Sequence, residues 1–155
     1  INMTYSLCDT FGVIDVIKKL PKEAMAQNRY NPTYPDTPAN RKWYEDSQKV
    51  ANMKPHNWAW QSGAAAQFIV DGLRATRGDA DAAKVAKAVR GATAEVPFGL
   101  SGKVTLRESD NTLVDYPLGC GFVQPTDPFM NDWIDADWAV IREHEAEWKK
   151  ARGFA

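Results

Sequence analysis

The sequence predicts an α/β fold, and three observations lead to that class. A strand, a turn and a helix follow one another at the N-terminus, an apolar helix rich in small residues begins at Asn57, and strand and turn composition takes over after Val96. The length of 155 residues and the 44% hydrophobic content fit a folded unit with its own core. A formal net charge of −1, without a basic block, argues against a nucleic-acid partner. No apolar run approaches the roughly 18 residues that a membrane-spanning helix requires.

The first element is a strand over residues 3–8, which are rich in β-branched and aromatic side chains. Asp9 and Thr10 then offer side-chain oxygens as N-caps to a short helix that ends before Pro21. Residues 30–38 hold three prolines, each of which removes a backbone donor and favours an extended residue before it. We therefore expect a connector between this helix and the next one.

Capping signals predict three further helices. Thr37 followed by Pro38 places a hydroxyl at an N-cap and a proline at the first helical position, and a helix of about a dozen residues follows. Asn57 begins the longest apolar helix, on which small and large apolar residues recur at helical spacing. Asp79 or Asp81 caps a third helix with apolar and basic residues on opposite faces.

The remaining chain predicts a strand pair and a final helix. Strands over residues 103–107 and 112–123 flank a polar turn, and residues 124–128 form a second proline-rich connector. From about Asp135 a final helix begins, and its tryptophans Trp138 and Trp148, with Trp133 before it, are expected to pack the C-terminal segment onto the body.

The sequence lacks the motifs of the common enzyme classes. No nucleophile elbow, zinc-protease, P-loop or dinucleotide-binding motif occurs, and His56 and His144 stand far apart in sequence. Cys8 and Cys120 have no close cysteine or histidine, so we expect two separate buried thiols, with one disulfide as the alternative in an oxidising compartment. We predict no catalytic residue, no metal site and no cofactor.

Two tryptophans at the start of the apolar helix, Trp58 and Trp60, admit two interpretations. At a helix start a side chain can project toward a cleft and contact a ligand, or it can pack into the core. The sequence favours neither interpretation over the other.

Four motifs occur in an order that is characteristic of one family. They are DTPAN at 36–40, HNWAWQSGAAAQ at 56–67, AVRGAT at 88–93, and VPFG at 96–99 followed by KVTLR at 103–107. With them the chain resembles the C-terminal portion of type I periplasmic binding proteins. It is most similar to substrate-binding components of ABC transporters of the branched-chain amino acid class.

The resemblance implies a two-lobed fold, with three-layer α/β/α lobes that close on a ligand by hinge motion. It assigns residues 1–29 to the distal lobe, 30–95 to proximal-lobe helices, 96–124 to the return strands and hinge, and 125–155 to a C-terminal tail and helix. The chain would then contribute to both lobes and complete neither sheet. The chain begins at Ile1, and we expect an N-terminal part that carries the family's serine and threonine ligands for a carboxylate.

The resemblance also implies ligand contacts. Asp9 matches the acidic residue that faces the ligand ammonium in the family, although it could serve only as a helix cap. The aromatic segment before the small-residue helix matches a cleft-lining position, which points to Trp58 or Trp60, with Gln61 and Tyr5 as neighbours.

The function implied is that of a solute-binding component of an ABC importer, without catalysis. Its ligand would be an amino acid or a small aliphatic or aromatic carboxylate, and its partners an ABC permease and the N-terminal part of the same protein. The expected location is periplasmic or extracellular, with the signal peptide outside this chain. The alternative is a ligand-sensing domain of the same fold in a receptor or regulator.

Overall fold

The computed structural model describes residues 4–5, 14, 16–19 and 24–154. The predictions for Cys8, Asp9 and Thr10 lie outside the described residues. In chain order the elements are β1 (Thr4–Tyr5), β2 (Met25–Asn28), α1 (Pro38–Ala51), α2 (Asn57–Ala75), α3 (Ala82–Val89), β3 (Thr93–Leu100), β4 (Lys103–Leu106), β5 (Leu113–Val114), β6 (Gly119–Val123), β7 (Met130–Asp135) and α4 (Trp138–Arg152).

The strands form two sheets. The first has the order β1-β2-β6-β7, and the second has the order β3-β4-β5. In the first sheet β1 and β2 run parallel, whereas β2, β6 and β7 pair in antiparallel fashion. This mixture of helices and sheets confirms the predicted α/β class, while the division into lobe segments stays a prediction.

The helix starts follow from capping. Thr37 is the N-cap of α1, where its hydroxyl accepts a hydrogen bond from the backbone N–H of Asn40 at 3.1 Å, and Pro38 is the first helical residue. α2 begins at Asn57 as predicted, with His56 as its N-cap. Asp81 caps α3. Local capping residues are therefore enough to predict where these three helices begin.

Three strand predictions need correction. β2 was not predicted, because its sequence Met-Ala-Gln-Asn has no β-branched or aromatic residue. The expected strand over 112–123 is two strands in different sheets, since Asp115 adopts a positive φ of 66° and Pro117 follows. β7 occupies Met130–Asp135, so the last helix begins later than Asp135, at Trp138.

In the core, α1 and α2 pack against β3 of the second sheet, and aromatic rings are prominent there. Six rings form a continuous row in which each contacts the next, and we call them the aromatic cluster; neighbouring centroids lie 4.9–5.9 Å apart. Its members are Tyr30, Trp43, Trp60, Phe98, Tyr116 and Trp138. They come from the first connector, from α1, α2 and α4, from β3 and from the segment between β5 and β6, so the cluster links the helices to the second sheet.

Helix α4 lies on the surface and has no buried residue. Its first residue anchors it, because the Trp138 indole N–H donates to the Tyr116 carbonyl at 2.8 Å. Ion pairs join Glu145 to Arg107 and Arg142 to Asp115. The expectation that Trp148 packs onto the body was wrong, since this side chain is 54% exposed and contacts Phe154 beyond the helix end.

As the pH is lowered, we expect α4 to lose stability at a higher pH than the core does. Hydrogen bonds from Lys149 and Arg107 hold the pKa of Glu145 below its usual value of 4.5. A carboxylate whose pKa is lower in the folded state contributes stability above its unfolded pKa and loses it as the pH falls through the folded value. Hydrogen-exchange protection factors of α4 amides should therefore fall below about pH 4.5. Glu145→Gln should weaken this pH dependence, and constant protection down to about pH 3 would contradict it.

One face of the first sheet is open among the described residues. Met25 pairs with Phe122, and Cys120 pairs with Ile134, which puts these four side chains on one face. Ile134 is 66% exposed, and Met25 and Phe122 are each 36% exposed. We call this surface the open sheet face; with Ile141 of α4 it forms a shallow apolar groove.

Among the described residues, no helix combines the length and apolar character needed to cross a membrane.

Candidate ligand-binding site

The parallel strands β1 and β2 end at the same edge of the first sheet. Thr4 pairs with Met25 and Tyr5 with Ala26, so the carboxyl ends of both strands point the same way. In open α/β sheets, ligands are bound just outside the carboxyl ends of the strands. This edge is therefore the candidate ligand-binding site.

The amino end of α2 meets this edge through two buried asparagines. Asn28 is the last residue of β2 and is 2% exposed, and Asn57 is the first residue of α2 and is 1% exposed. The Asn57 Nδ2 group donates to Asn28 Oδ1 at 2.6 Å. The Trp60 indole Nε1 in turn donates to Asn57 Oδ1 at 3.3 Å. These contacts fix the helix start against the strand end.

The structure separates the two tryptophans that the sequence could not. Trp58 is 58% exposed, in the first turn of α2. Trp60 is 2% exposed and lies in the aromatic cluster, where its ring centroid is 5.0 Å from that of Tyr116. Gln61 is half-buried on the same turn. Trp58 is thus the aromatic residue available to a solute, and the assignment of ligand contacts to these residues stays a prediction.

Two other predicted contacts are only partly placed. Tyr5 lies in β1, and its backbone pairs with Ala26 beside the candidate site. Asp9 lies outside the described residues. The roles of Tyr5 and Asp9 as ligand contacts both stay predictions.

The electrostatics of the site are set mainly by α2. This helix is 19 residues long and has no acidic residue in its first turn. Its macrodipole therefore places uncompensated partial positive charge at Asn57 and Trp58. Beside the site, burial raises the pKa of the Tyr30 phenol, with further contributions from Tyr44 and Asp127, so this group is neutral at physiological pH. The arrangement favours a solute with an oxygen acceptor or an anionic group.

Metal and thiol chemistry receive no support from the part of the chain that the structure describes. There, no group of three or more histidine, cysteine or carboxylate side chains is placed to hold a metal ion. Cys120 is a half-buried free thiol on the open sheet face.

Sequence reasoning missed both asparagines. Asn57 was identified only as a helix start, and Asn28 lay in a strand that was not predicted. The one available signal was a polar residue between His56 and Trp58 at a helix start. This signal is weak, because an exposed asparagine is ordinary at a helix start and its burial depends on the partner strand.

Comparisons with known proteins match solved structures only. No protein-family model matches, and no curated protein sequence matches. An amino acid ABC transporter substrate-binding protein from Pseudomonas fluorescens Pf-5 is 21% identical, with a TM-score of 0.67 over 88% of this chain and 37% of that chain. A leucine-, isoleucine-, valine-, threonine- and alanine-binding protein from Brucella ovis is 17% identical, with a TM-score of 0.67 over 88% of this chain and 36% of that chain.

A third match is a solute-binding protein of an ABC transporter from Rhodopseudomonas palustris BisB5 in complex with 3,4-dihydroxybenzoic acid. It is 17% identical, with a TM-score of 0.63 over 78% of this chain and 33% of that chain. The chain has the fold of a type I periplasmic binding protein. This confirms the resemblance drawn from the four sequence motifs.

The type I periplasmic-binding-protein fold is present here in its C-terminal portion only. The chain spans about a third of the length of the solved structures that it matches.

Proposed function

We propose that the protein is the solute-binding component of an ABC importer and that it binds, without catalysis, an amino acid or a small aliphatic or aromatic carboxylate. One observation carries the proposal beyond the fold. Trp58 is an exposed aromatic side chain at the amino end of α2, beside the carboxyl ends of β1 and β2. An aromatic platform next to partial positive charge suits a solute with an apolar body and an anionic group.

The energy that such a site must supply is modest. Micromolar affinity corresponds to about −8 kcal/mol. A stacked aromatic ring and a few charge-assisted hydrogen bonds are sufficient for this after the cost of ordering the ligand and the lobes is met. Asp9 would bind an ammonium group when the solute is an amino acid, and Tyr5 and Gln61 would line the same cleft.

The proposed partners are an ABC permease and the N-terminal part of the same protein, and the proposed location is periplasmic or extracellular. The open sheet face supports the second partner. Ile134, Phe122 and Met25 are too exposed for the face of a completed lobe. A preceding part of the polypeptide would cover them.

The test is a ligand screen on the full-length polypeptide. Thermal unfolding should be measured with amino acids, including leucine, and with aromatic acids, including 3,4-dihydroxybenzoate. At a ligand concentration about 100 times the Kd, binding should stabilise the folded state by about 2.7 kcal/mol. A screen in which no acid of either class raises the unfolding temperature would overturn the proposal.

The Asp9→Ala variant separates the two ligand classes. For a solute that bears an ammonium group, loss of the carboxylate should abolish the shift in unfolding temperature, because a desolvated cation would be left unpaired. For an aromatic acid without an ammonium group the shift should remain. An unchanged shift with every ligand would remove Asp9 from the site.

A further inference from the structure

The chain returns from the second sheet to the first within a short segment. β5 of the second sheet ends at Val114 and β6 of the first sheet begins at Gly119, so residues 115–118 form the whole connection. We call these residues the crossing segment. Asp115 adopts a positive φ of 66°, and Pro117 is fully buried. Because the segment is so short, the angle between the two sheets depends in part on how firmly it is held.

The first residue of α4 holds the crossing segment. The Trp138 indole N–H donates to the Tyr116 carbonyl at 2.8 Å, and the two rings meet edge to face with their centroids 4.9 Å apart. The Tyr116 ring also contacts the ring of Trp60, which is buried in α2, at a centroid distance of 5.0 Å. Since α2 packs against β3, Tyr116 links the start of α4 to the core beside the second sheet.

Two ion pairs hold the body of α4. The Arg142 guanidinium contacts the carboxylate of Asp115 in the crossing segment. Three residues further on, Glu145 contacts Arg107, which directly follows β4 of the second sheet. Arg107 is itself oriented by Asp110, whose carboxylate accepts a hydrogen bond from the Arg107 Nε at 2.9 Å. Because positions three apart are neighbours on a helix surface, both ion pairs lie on the same side of α4.

Helix α4 therefore connects the two sheets. It begins two residues after β7 of the first sheet ends, and its ion pairs reach the crossing segment and the end of β4 in the second sheet. The helix has no buried residue, so the covering of a core does not explain its position. An exposed helix that continues one sheet and is attached to the other can restrain their relative movement.

We propose that α4 is a brace that limits the movement of the two sheets relative to each other, with Trp138, Arg142 and Glu145 as its points of attachment. The inference goes beyond the proposed function, because it concerns the protein without a solute. Where a solute binds between the two parts, such a brace sets how far they open before it enters. The contact of Asn28 with Asn57 also joins the two parts, so we expect loss of the brace to shift a population and not to separate them.

The Arg142→Gln/Glu145→Gln double variant tests the brace. It removes both ion pairs, keeps the net charge, and introduces a residue of good helix propensity at each position. Pulsed electron paramagnetic resonance on the full-length polypeptide should measure the distance between two spin labels, with the native cysteines replaced by serine. The labels are attached at Asn131→Cys on β7 and Ser62→Cys on α2, which are both exposed positions. In the double variant, the population outside the wild-type range of distances should rise by a few-fold.

Arg74→Gln combined with Asp79→Asn is the matched control. These changes also remove one charge of each sign, and they break two ion pairs on the surface, that of Arg74 with Asp71 and that of Asp79 with Lys84. Neither pair includes a residue of α4 or of the crossing segment. The distribution of distances should therefore stay as it is in the wild type.

The outcomes separate the inference from the proposed function. An unchanged distribution in the double variant would overturn the inference and leave the proposed function standing, because no solute takes part in this measurement. An equal rise in the control would also overturn the inference, since the effect would then follow from the loss of any surface ion pair. A ligand screen without a binding acid would overturn the proposed function alone.

Salt gives a second measurement in case the double variant does not fold. Raising sodium chloride from about 0.1 M to about 1 M shortens the Debye length from about 10 Å to about 3 Å, which weakens partly exposed ion pairs such as those of α4. In the labelled wild type, the population outside the low-salt range of distances should then rise by a few-fold. The same distribution at both salt concentrations would show that these ion pairs do not restrain the sheets, and it would overturn the inference.

Discussion

Replacing Trp60 with alanine is expected to lower the free energy of unfolding by about 3 to 5 kcal/mol, which is the usual cost of removing a large buried aromatic side chain. Trp60 is 2% exposed, and its ring contacts those of Phe98 and Tyr116 at centroid distances of 5.9 and 5.0 Å. The change would also leave Asn57 Oδ1 without its donor. Denaturant unfolding followed by circular dichroism measures the effect.

Trp58→Ala is the matched control, two positions away on the same helix. Because Trp58 is 58% exposed, its removal should change the free energy of unfolding by less than about 0.5 kcal/mol. It should, however, weaken solute binding if the ring is the proposed platform. Equal destabilisation by the two variants would contradict the separation of a core tryptophan from a surface tryptophan.

Replacing Gly99 with alanine is expected to destabilise the protein by about 3 kcal/mol or more, at the upper end of the cost of overpacking. A Cβ atom at this position would lie 2.2 Å from the Lys103 carbonyl oxygen and 2.7 Å from its nitrogen. Both are backbone atoms of the paired strand β4, which cannot move aside as a side chain can. β3 and β4 would have to separate where their register already shifts between Glu95 and Leu100.

Gly63→Ala controls for the loss of a glycine as such. Its added Cβ would meet the Phe98 ring at 3.4 Å, which is ordinary contact, and the site is inside α2. Because alanine has the higher helix propensity, this variant should be neutral or stabilising by up to about 1 kcal/mol. Thermal unfolding measures the stability of both variants. If Gly99→Ala is as stable as Gly63→Ala, β3 and β4 do not approach each other as closely as described.

The helices were predictable because their signals are local. Thr37 and Pro38 specify the start of α1, and Asn57 begins α2 with an apolar pattern of helical period. Such signals act within a few residues and need no partner elsewhere in the chain. They hold whether or not the rest of the polypeptide is considered.

The strands were less predictable because their signals are not local. β2 has the polar sequence Met-Ala-Gln-Asn and becomes a strand only because β1 and β6 flank it. β7 lies at the edge of its sheet, and buried and exposed residues alternate only weakly along it. Its sequence therefore resembles that of a connector. Strand identity in these segments is a property of the assembled sheet.

The candidate site was predictable in part. Trp58 and Trp60 were identified from their position, but only the structure shows which of them is buried. The buried contact between Asn28 and Asn57 joins residues 29 positions apart, and neither belongs to a motif that a sequence pattern would reveal. Polar networks of this kind depend on the angle at which a helix meets a sheet.

The pairing of β2 with β6 has a consequence for synthesis of the chain. Pairing of Met25 with Phe122 and of Asn28 with Gly119 closes a loop of roughly 90 residues. Closing this loop costs conformational entropy, which is offset only by contacts that form later. At translation rates of about 5 to 20 residues per second, β2 is synthesised roughly 5 to 20 s before its partner strand β6. A strand that must wait unpaired is a hazard when it is apolar and β-prone. The composition that made β2 hard to recognise thus lowers its tendency to aggregate during that interval.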